Sequence, residues 1–131
     1  MTIVDTSVWI DFLEGRDHWT KIRLKEKLND RESIAYNELI LLEIIQGFRK
    51  RQEREEIEAT FSSFIFAQHK RSTTLLAAEI YQELQRKGKR IRSIVDCLIA
   101  ATAIETGATI LHKDRDFEFI ADHYPIITEK E

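Results

Sequence analysis

The sequence predicts an α/β domain in which helices cover both faces of a central parallel sheet of four to five short strands. Two observations carry this. Short apolar runs of strand length, such as Thr2–Asp5, Ser33–Tyr36 and Thr109–Leu111, alternate with longer segments of helical periodicity. Strands that short and that apolar suit a parallel sheet shielded on both sides, a three-layer α/β/α arrangement. At 131 residues and 43% hydrophobic, with 4 glycines and 1 proline, the chain fits one domain over residues 1–131, with no linker or repeat.

In chain order, Thr2–Asp5 reads as a strand and Thr6–Leu13 as the helix behind it. His18–Leu28 spaces Trp19, Ile22, Leu24 and Leu28 helically, and Ser33–Tyr36 is a second strand. Asn37 is placed to cap a helix through Gln46, which Gly47 ends. Arg51–Phe61 is a charged helix, and Ser63–Ala67 a third strand. Thr74–Lys87 forms a long amphipathic helix with Leu75, Ala78, Ile80, Tyr81 and Leu84 on or near its inner face. Ser93 caps a helix that Gly107 closes, and Thr109–Leu111 is a fourth strand. Phe117–His123 is a short helix, and Ile126–Thr128 a last strand after Pro125.

A net charge of −3, from 20 basic and 23 acidic residues, excludes a generic polyanion binder. The single cysteine, Cys97, excludes an intrachain disulfide and fits a reducing compartment. Met1–Asp5 lacks the basic start and apolar run of a signal peptide, and charges break every longer apolar stretch. A cytoplasmic location without a membrane partner is the expectation. The basic run Arg86-Lys87-Gly88-Lys89-Arg90-Ile91-Arg92 carries no acid. It suits RNA phosphates through Lys89, Arg90 and Arg92, and equally suits a helix C-terminus capped at Gly88.

Five carboxylates stand at the ends of apolar strands or inside apolar helix faces: Asp5, Glu43, Asp96, Asp114 and Asp116. Each has an ordinary explanation. Asp5 can cap a helix, Ser93-x-x-Asp96 resembles a capping box, and one of Asp114 and Asp116 can cap the Phe117 helix. Glu43, flanked by Leu42 and Ile44, has no capping task, and its ordinary explanation is a side chain that points out between apolar neighbours. Asp5 and Asp114 lie at strand ends, where ligands collect in open parallel sheets. Isolated buried carboxylates are costly, so several converging without a fixed cation point to a hard divalent metal with oxygen ligands. No Gly-rich phosphate loop, GxSxG or Cys–His pairing is present, and the four histidines show no zinc spacing. Carboxylates holding Mg²⁺ or Mn²⁺ suit phosphodiester hydrolysis, in which a neighbouring carboxylate takes the proton of the attacking water.

Read together, Ile3-Val4-Asp5-Thr6-Ser7-Val8-Trp9-Ile10, Leu42-Glu43-Ile44-Ile45-Gln46-Gly47, Asp96–Ala103, Gly107–Leu111 and Asp114-Arg115-Asp116-Phe117 resemble the PIN-domain ribonucleases of the VapC toxin type. The resemblance covers essentially the whole chain. It implies a PIN-like fold and a metal-dependent endoribonuclease, using Mg²⁺ with Mn²⁺ as a substitute. It further implies a VapB-type antitoxin partner and a homodimer, or a heterotetramer and larger assemblies with the antitoxin. By the same resemblance Asp5, Glu43, Asp96 and Asp114 form the acidic quartet, with Asp116 as a further metal ligand and Ser7 beside Asp5. The antitoxin would lie across Trp9, Phe12, Leu13 and Trp19, and insert an Arg or Lys among the acids; a place among the core aromatics is the alternative for Trp9 and Trp19. This chain departs from the family in having His112 where a Thr or Ser usually precedes the fourth acid by two residues. His112 is expected to orient Asp114 or to ligate a softer metal, with a bystander at the strand end as the alternative. A receiver-type phosphoacceptor domain would want paired acids after the first strand, and a PIN scaffold serving only for binding would have lost acids. Neither sign is present.

Overall fold

The computed structural model describes residues 1–131. The elements run β1 (Thr2–Val4), α1 (Thr6–Glu14), α2 (Trp19–Asn29), β2 (Ile34–Tyr36), α3 (Glu38–Ile45) and α4 (Arg51–Phe61). There follow β3 (Ile65–Phe66), α5 (Arg71–Arg86), α6 (Ile94–Thr106), β4 (Thr109–Leu111), α7 (Arg115–Ala121) and β5 (Ile127–Thr128). All five strands are parallel, in the order β3-β2-β1-β4-β5. The strand order reverses at β1: the chain builds outward to β3, then returns to lay β4 against the other edge of β1. The carboxyl ends of β1 and β4 therefore flank the switch point, the position where open α/β sheets hold ligands.

Each parallel connection is right-handed by strong preference, so the two directions of travel place their helices on opposite faces. The helix contacts fall into the same two groups, α1 with α2 and α3 and α3 with α4, then α5 with α6 and both with α7. Ile3, Val4, Ile34, Ala35, Ile110 and Leu111 form the sheet's share of the core and are almost wholly buried. In α6, Asp96 through Ala103 are all buried, which is why that stretch reads as unbroken apolar sequence rather than an amphipathic stripe. Gly15 (φ 74) and Gly107 (φ 75) end α1 and α6 in the left-handed region that glycine adopts without strain.

Several boundaries differ from the sequence expectation. α5 begins at Arg71 instead of Thr74, because Glu105 of α6 accepts hydrogen bonds from Ser72 and Thr73 and fixes its first turn. Its inner face is Thr73, Ala77, Ile80 and Leu84, whereas Leu75 is 62% exposed. β3 contracts to Ile65–Phe66 at the sheet edge, and β5 to Ile127–Thr128. α7 starts at Arg115, two residues early, because Asp114 rather than Asp116 caps it.

On the α1–α4 face, Trp9 packs against Phe61 and Phe64 at centroid distances of 4.9 and 5.6 Å, and Phe61 meets Tyr36 edge-on at 5.1 Å. Such pairs add to the area they bury. Phe61→Ala is expected to cost about 3–5 kcal/mol of stability, read as a lower urea midpoint with an unchanged m-value.

Candidate active site

The acidic cluster is assembled by helix N-termini meeting at the switch point. Asp5 follows β1 and caps α1. Its backbone N–H donates to Leu111 O at 2.9 Å, extending the β1–β4 ladder by one residue. Ser7 donates to Asp5 Oδ2 through its hydroxyl at 2.5 Å and its backbone N–H at 3.4 Å. Asp96 lies in the first turn of α6, with Ser93 capping that helix by accepting from Val95 N–H at 3.2 Å. Asp114 caps α7 by accepting from Asp116 N–H at 3.0 Å. Carboxylates are favoured at such positions, where unpaired N–H groups carry partial positive charge. Asp5 and Asp96 are each 7% exposed and Asp116 only 2%.

One oxygen from each of Asp96, Asp114 and Asp116 lies within 4.8 Å of the others. The remaining acids are close enough to act on them. The Asp96 carboxyl is pushed up to about 8, first by burial and then by the charges of Asp5, Asp114, Asp116 and Glu43. Burial also raises Asp5, against the lowering effect of its bonds from Ser7. Glu43, from the middle of α3, receives the Thr6 hydroxyl on Oε1 at 2.7 Å. Thr6 was not singled out in the sequence; its only signal was its place between Asp5 and Ser7.

Other residues lie elsewhere than the sequence suggests. Arg92 was read as an RNA contact in a basic run. Its guanidinium instead spans the acids, 3.0 Å from Asp114 Oδ1 and 3.6 Å from Asp116 Oδ2, and its backbone N–H donates to Asp116 at 3.2 Å. Both carboxylates hold its pKa up. Lys89 sits over the Phe119 ring at 4.6 Å. Lys89 and Arg90 line a separate polar cleft of about 330 Å³ with Tyr81 and Gln85. His112 does not meet the Asp114 side chain. Its Nδ1 accepts the Asp114 backbone N–H at 3.1 Å, and its Nε2 lies 3.0 Å from Glu118 Oε1. These partners define the neutral Nε2–H tautomer, consistent with the downward shift that burial imposes on the ring. Both ring nitrogens are used, so none is left for a metal. Trp9, read as an antitoxin contact, is 2% exposed and forms the floor of an apolar groove with Phe12, Leu13, Leu28, Ile57 and Phe61 around it. Trp19 lies outside that groove's lining, with Arg23 over its ring at 5.8 Å.

The family model of the PIN domain matches residues 2–122. The chain belongs to the PIN-domain family. Within it, this PIN domain stands with the VapC ribonucleases. It is 32% identical to Ribonuclease VapC11 of Mycobacterium tuberculosis over 92% of each chain. It is 33% identical to Ribonuclease VapC19 of the same organism over 95% of this chain and 98% of that one. Its fold is similar to a chain of VapBC2 from Rickettsia felis, solved on a promoter DNA fragment, with a TM-score of 0.74 and 22% identity over 98% of this chain and 96% of that one. VapBC-1 from nontypeable Haemophilus influenzae gives a TM-score of 0.75 at 18% identity, again covering 98% of this chain and 96% of that one.

The Asp96 shift has a stability consequence with a definite sign. Between its ordinary value of 3.8 and about 8, the folded PIN domain keeps a proton that the unfolded chain releases. Stability from this group is therefore complete at low pH and is lost as pH rises toward 8. In EDTA, the melting temperature is expected to fall from about pH 4 to about pH 8, with Asp96→Asn reducing that slope. Thermal melts of both proteins across the pH series check it; equal slopes would refute the assignment.

Proposed function

We propose that this PIN-domain protein is a metal-dependent endoribonuclease, the toxin of a toxin–antitoxin pair, held inactive by a VapB-type antitoxin. The observation that carries the reading is the convergence of Asp96, Asp114 and Asp116, with Asp5 and Glu43 beside them, at the sheet's switch point. Membership among VapC ribonucleases supplies the substrate class.

The donor set fits a hard divalent cation. All donors are carboxylate oxygens, with one from each of Asp96, Asp114 and Asp116 within 4.8 Å of the others, the hard oxygen set that such a cation takes. Asp5, Asp96, Asp114 and Asp116 would hold Mg²⁺, with Mn²⁺ as a substitute. Bound there, the cation supplies Lewis-acid charge for phosphodiester hydrolysis. The chain's own residues do the rest. Ser7 fixes the Asp5 carboxylate, and Arg92 holds Asp114 and Asp116 by one oxygen each. Thr6 turns Glu43 through one oxygen, leaving the other to accept the proton of the attacking water. His112, locked between Glu118 and the Asp114 backbone, sets where Asp114 begins its turn. Lys89 and Arg90 would hold RNA backbone in their own polar cleft, apart from the acids.

The apolar groove beside α1 suits the antitoxin. It encloses about 300 Å³ between α1, α2 and α4, and six of its eight lining residues are hydrophobic, a surface that an apolar antitoxin segment would cover. A homodimer, joined into a heterotetramer or larger assembly with antitoxin, completes the proposal.

Asp5→Asn or Asp96→Asn is expected to lower Mg²⁺-dependent cleavage of a structured RNA by about 10²–10⁴-fold while leaving the circular dichroism spectrum unchanged. EDTA is expected to stop the wild type. Cleavage that survives EDTA or either variant would defeat the catalytic assignment. Leu13→Asp is expected to weaken antitoxin binding on the order of tenfold or more without altering cleavage by the free enzyme, measured by calorimetry and by the same RNA assay.

A further inference from the structure

Lys113 lies between His112 and Asp114 and lines the same open cleft as Asp5, Ser7, Arg92 and Asp114. Its ammonium is tethered, with Nζ 2.5 Å from Asp11 Oδ2. Asp11 stands in α1 one helical turn beyond Ser7, on the same face of the helix, and is only 1% exposed. Its other oxygen has Arg16 at 3.8 Å. A carboxylate that deeply buried demands a close cation, so the lysine is not free to sample its usual rotamers. Yet Lys113 keeps a third of its side chain exposed. An ammonium has three donors, and Asp11 uses one.

The cleft sets two acids, Asp5 and Asp114, against three cations, Arg92, Lys113 and Arg115, and the acids beside it repel a polyanion unless fixed donors meet the phosphates at its mouth. Arg92 is a poor candidate, since its guanidinium bridges two acids of the cluster itself, and the exposed Arg115 has no ion pair to fix it in place. A long, free lysine would lose its side-chain freedom on binding, but Lys113 has surrendered that freedom at folding. We propose that Asp11 and Lys113 form a preorganised phosphate-binding pair, with Asp11 the positioning residue and Lys113 the contact to the RNA backbone at the rim of the acidic cluster. The inference rests on the ribonuclease reading given above.

The test is binding of a fluorescently labelled hairpin RNA in EDTA, where cleavage is off, as a function of salt. Lys113→Met is expected to raise Kd about tenfold at low salt and to reduce the log Kd–log salt slope by roughly one, the signature of one lost phosphate contact. Lys113→Arg is expected to restore most of both. Asp11→Asn, which keeps the charge but unties it, is expected to raise Kd several-fold with the slope retained. If Lys113→Met binds with wild-type Kd and slope and only melts earlier, the pair is a strut between α1 and the β4–α7 loop, and the proposal fails. Should Asp11→Asn not fold, the two Lys113 variants decide alone. Wild-type protein that neither binds this RNA nor cleaves RNA with Mn²⁺ would sink the ribonuclease reading itself. Cleavage by wild type with Lys113→Met binding unaltered would sink only the present inference.

Discussion

β1 is three residues long, yet it pairs in parallel with β2 on one side and β4 on the other, and its last ladder bond is made by Asp5 N–H to Leu111 O. That double pairing sets the backbone of Asp5 relative to the segment carrying Asp114. A one-residue slip of β4 against β1 would turn its buried side chains to the opposite face. Ile3, Val4, Ile110 and Leu111 are almost wholly enclosed, so burial on both faces enforces the register. The side chains that carry chemistry sit just past the ladder's end, where the sheet's regularity still constrains them but its apolar packing has stopped.

The cluster is electrostatically unfavourable, as the raised Asp5 and Asp96 show. What makes it tolerable is where the acids stand in their helices. Asp5 and Asp114 cap α1 and α7, and Asp96 lies in the first turn of α6. Three helix N-termini thus aim partial positive charge at one place. Capping and clustering, which look like rival explanations for each acid in the sequence, are the same arrangement seen one helix at a time. Arg92 adds the one full positive charge in direct contact with two of the acids.

The element order and the acids were legible because both depend on local pattern. Apolar runs of strand length stand out, and so does a carboxylate such as Glu43 between Leu42 and Ile44. What was not legible depends on distant partners. The early start of α5 comes from Glu105, 33 and 32 residues beyond Ser72 and Thr73. Asp11 and Lys113, separated by 102 positions, look like two unrelated surface charges until β4 brings them together. Arg92 shares a basic run with Lys89 and Arg90, and only its bonds to Asp114 and Asp116, more than twenty residues on, distinguish it. The depth of Trp9 and the tautomer of His112 likewise follow from Phe61 and Glu118, which no spacing rule connects to them.

The strand order also imposes a sequence of events as the chain is made. The apolar groove is drawn from residues 9 to 61, whereas the acids need α6, β4 and α7 to close. Until Thr109–Leu111 emerge, one edge of β1 has no neighbour and Asp5 has nothing opposite it. Because domains form as units and β1–β4 pairing spans most of the chain, the acidic pocket is among the last features to exist. A chain cut before α6 therefore carries every residue that lines the groove but none of Asp96, Asp114 and Asp116, so the groove's residues are all synthesised before the acidic pocket can be completed.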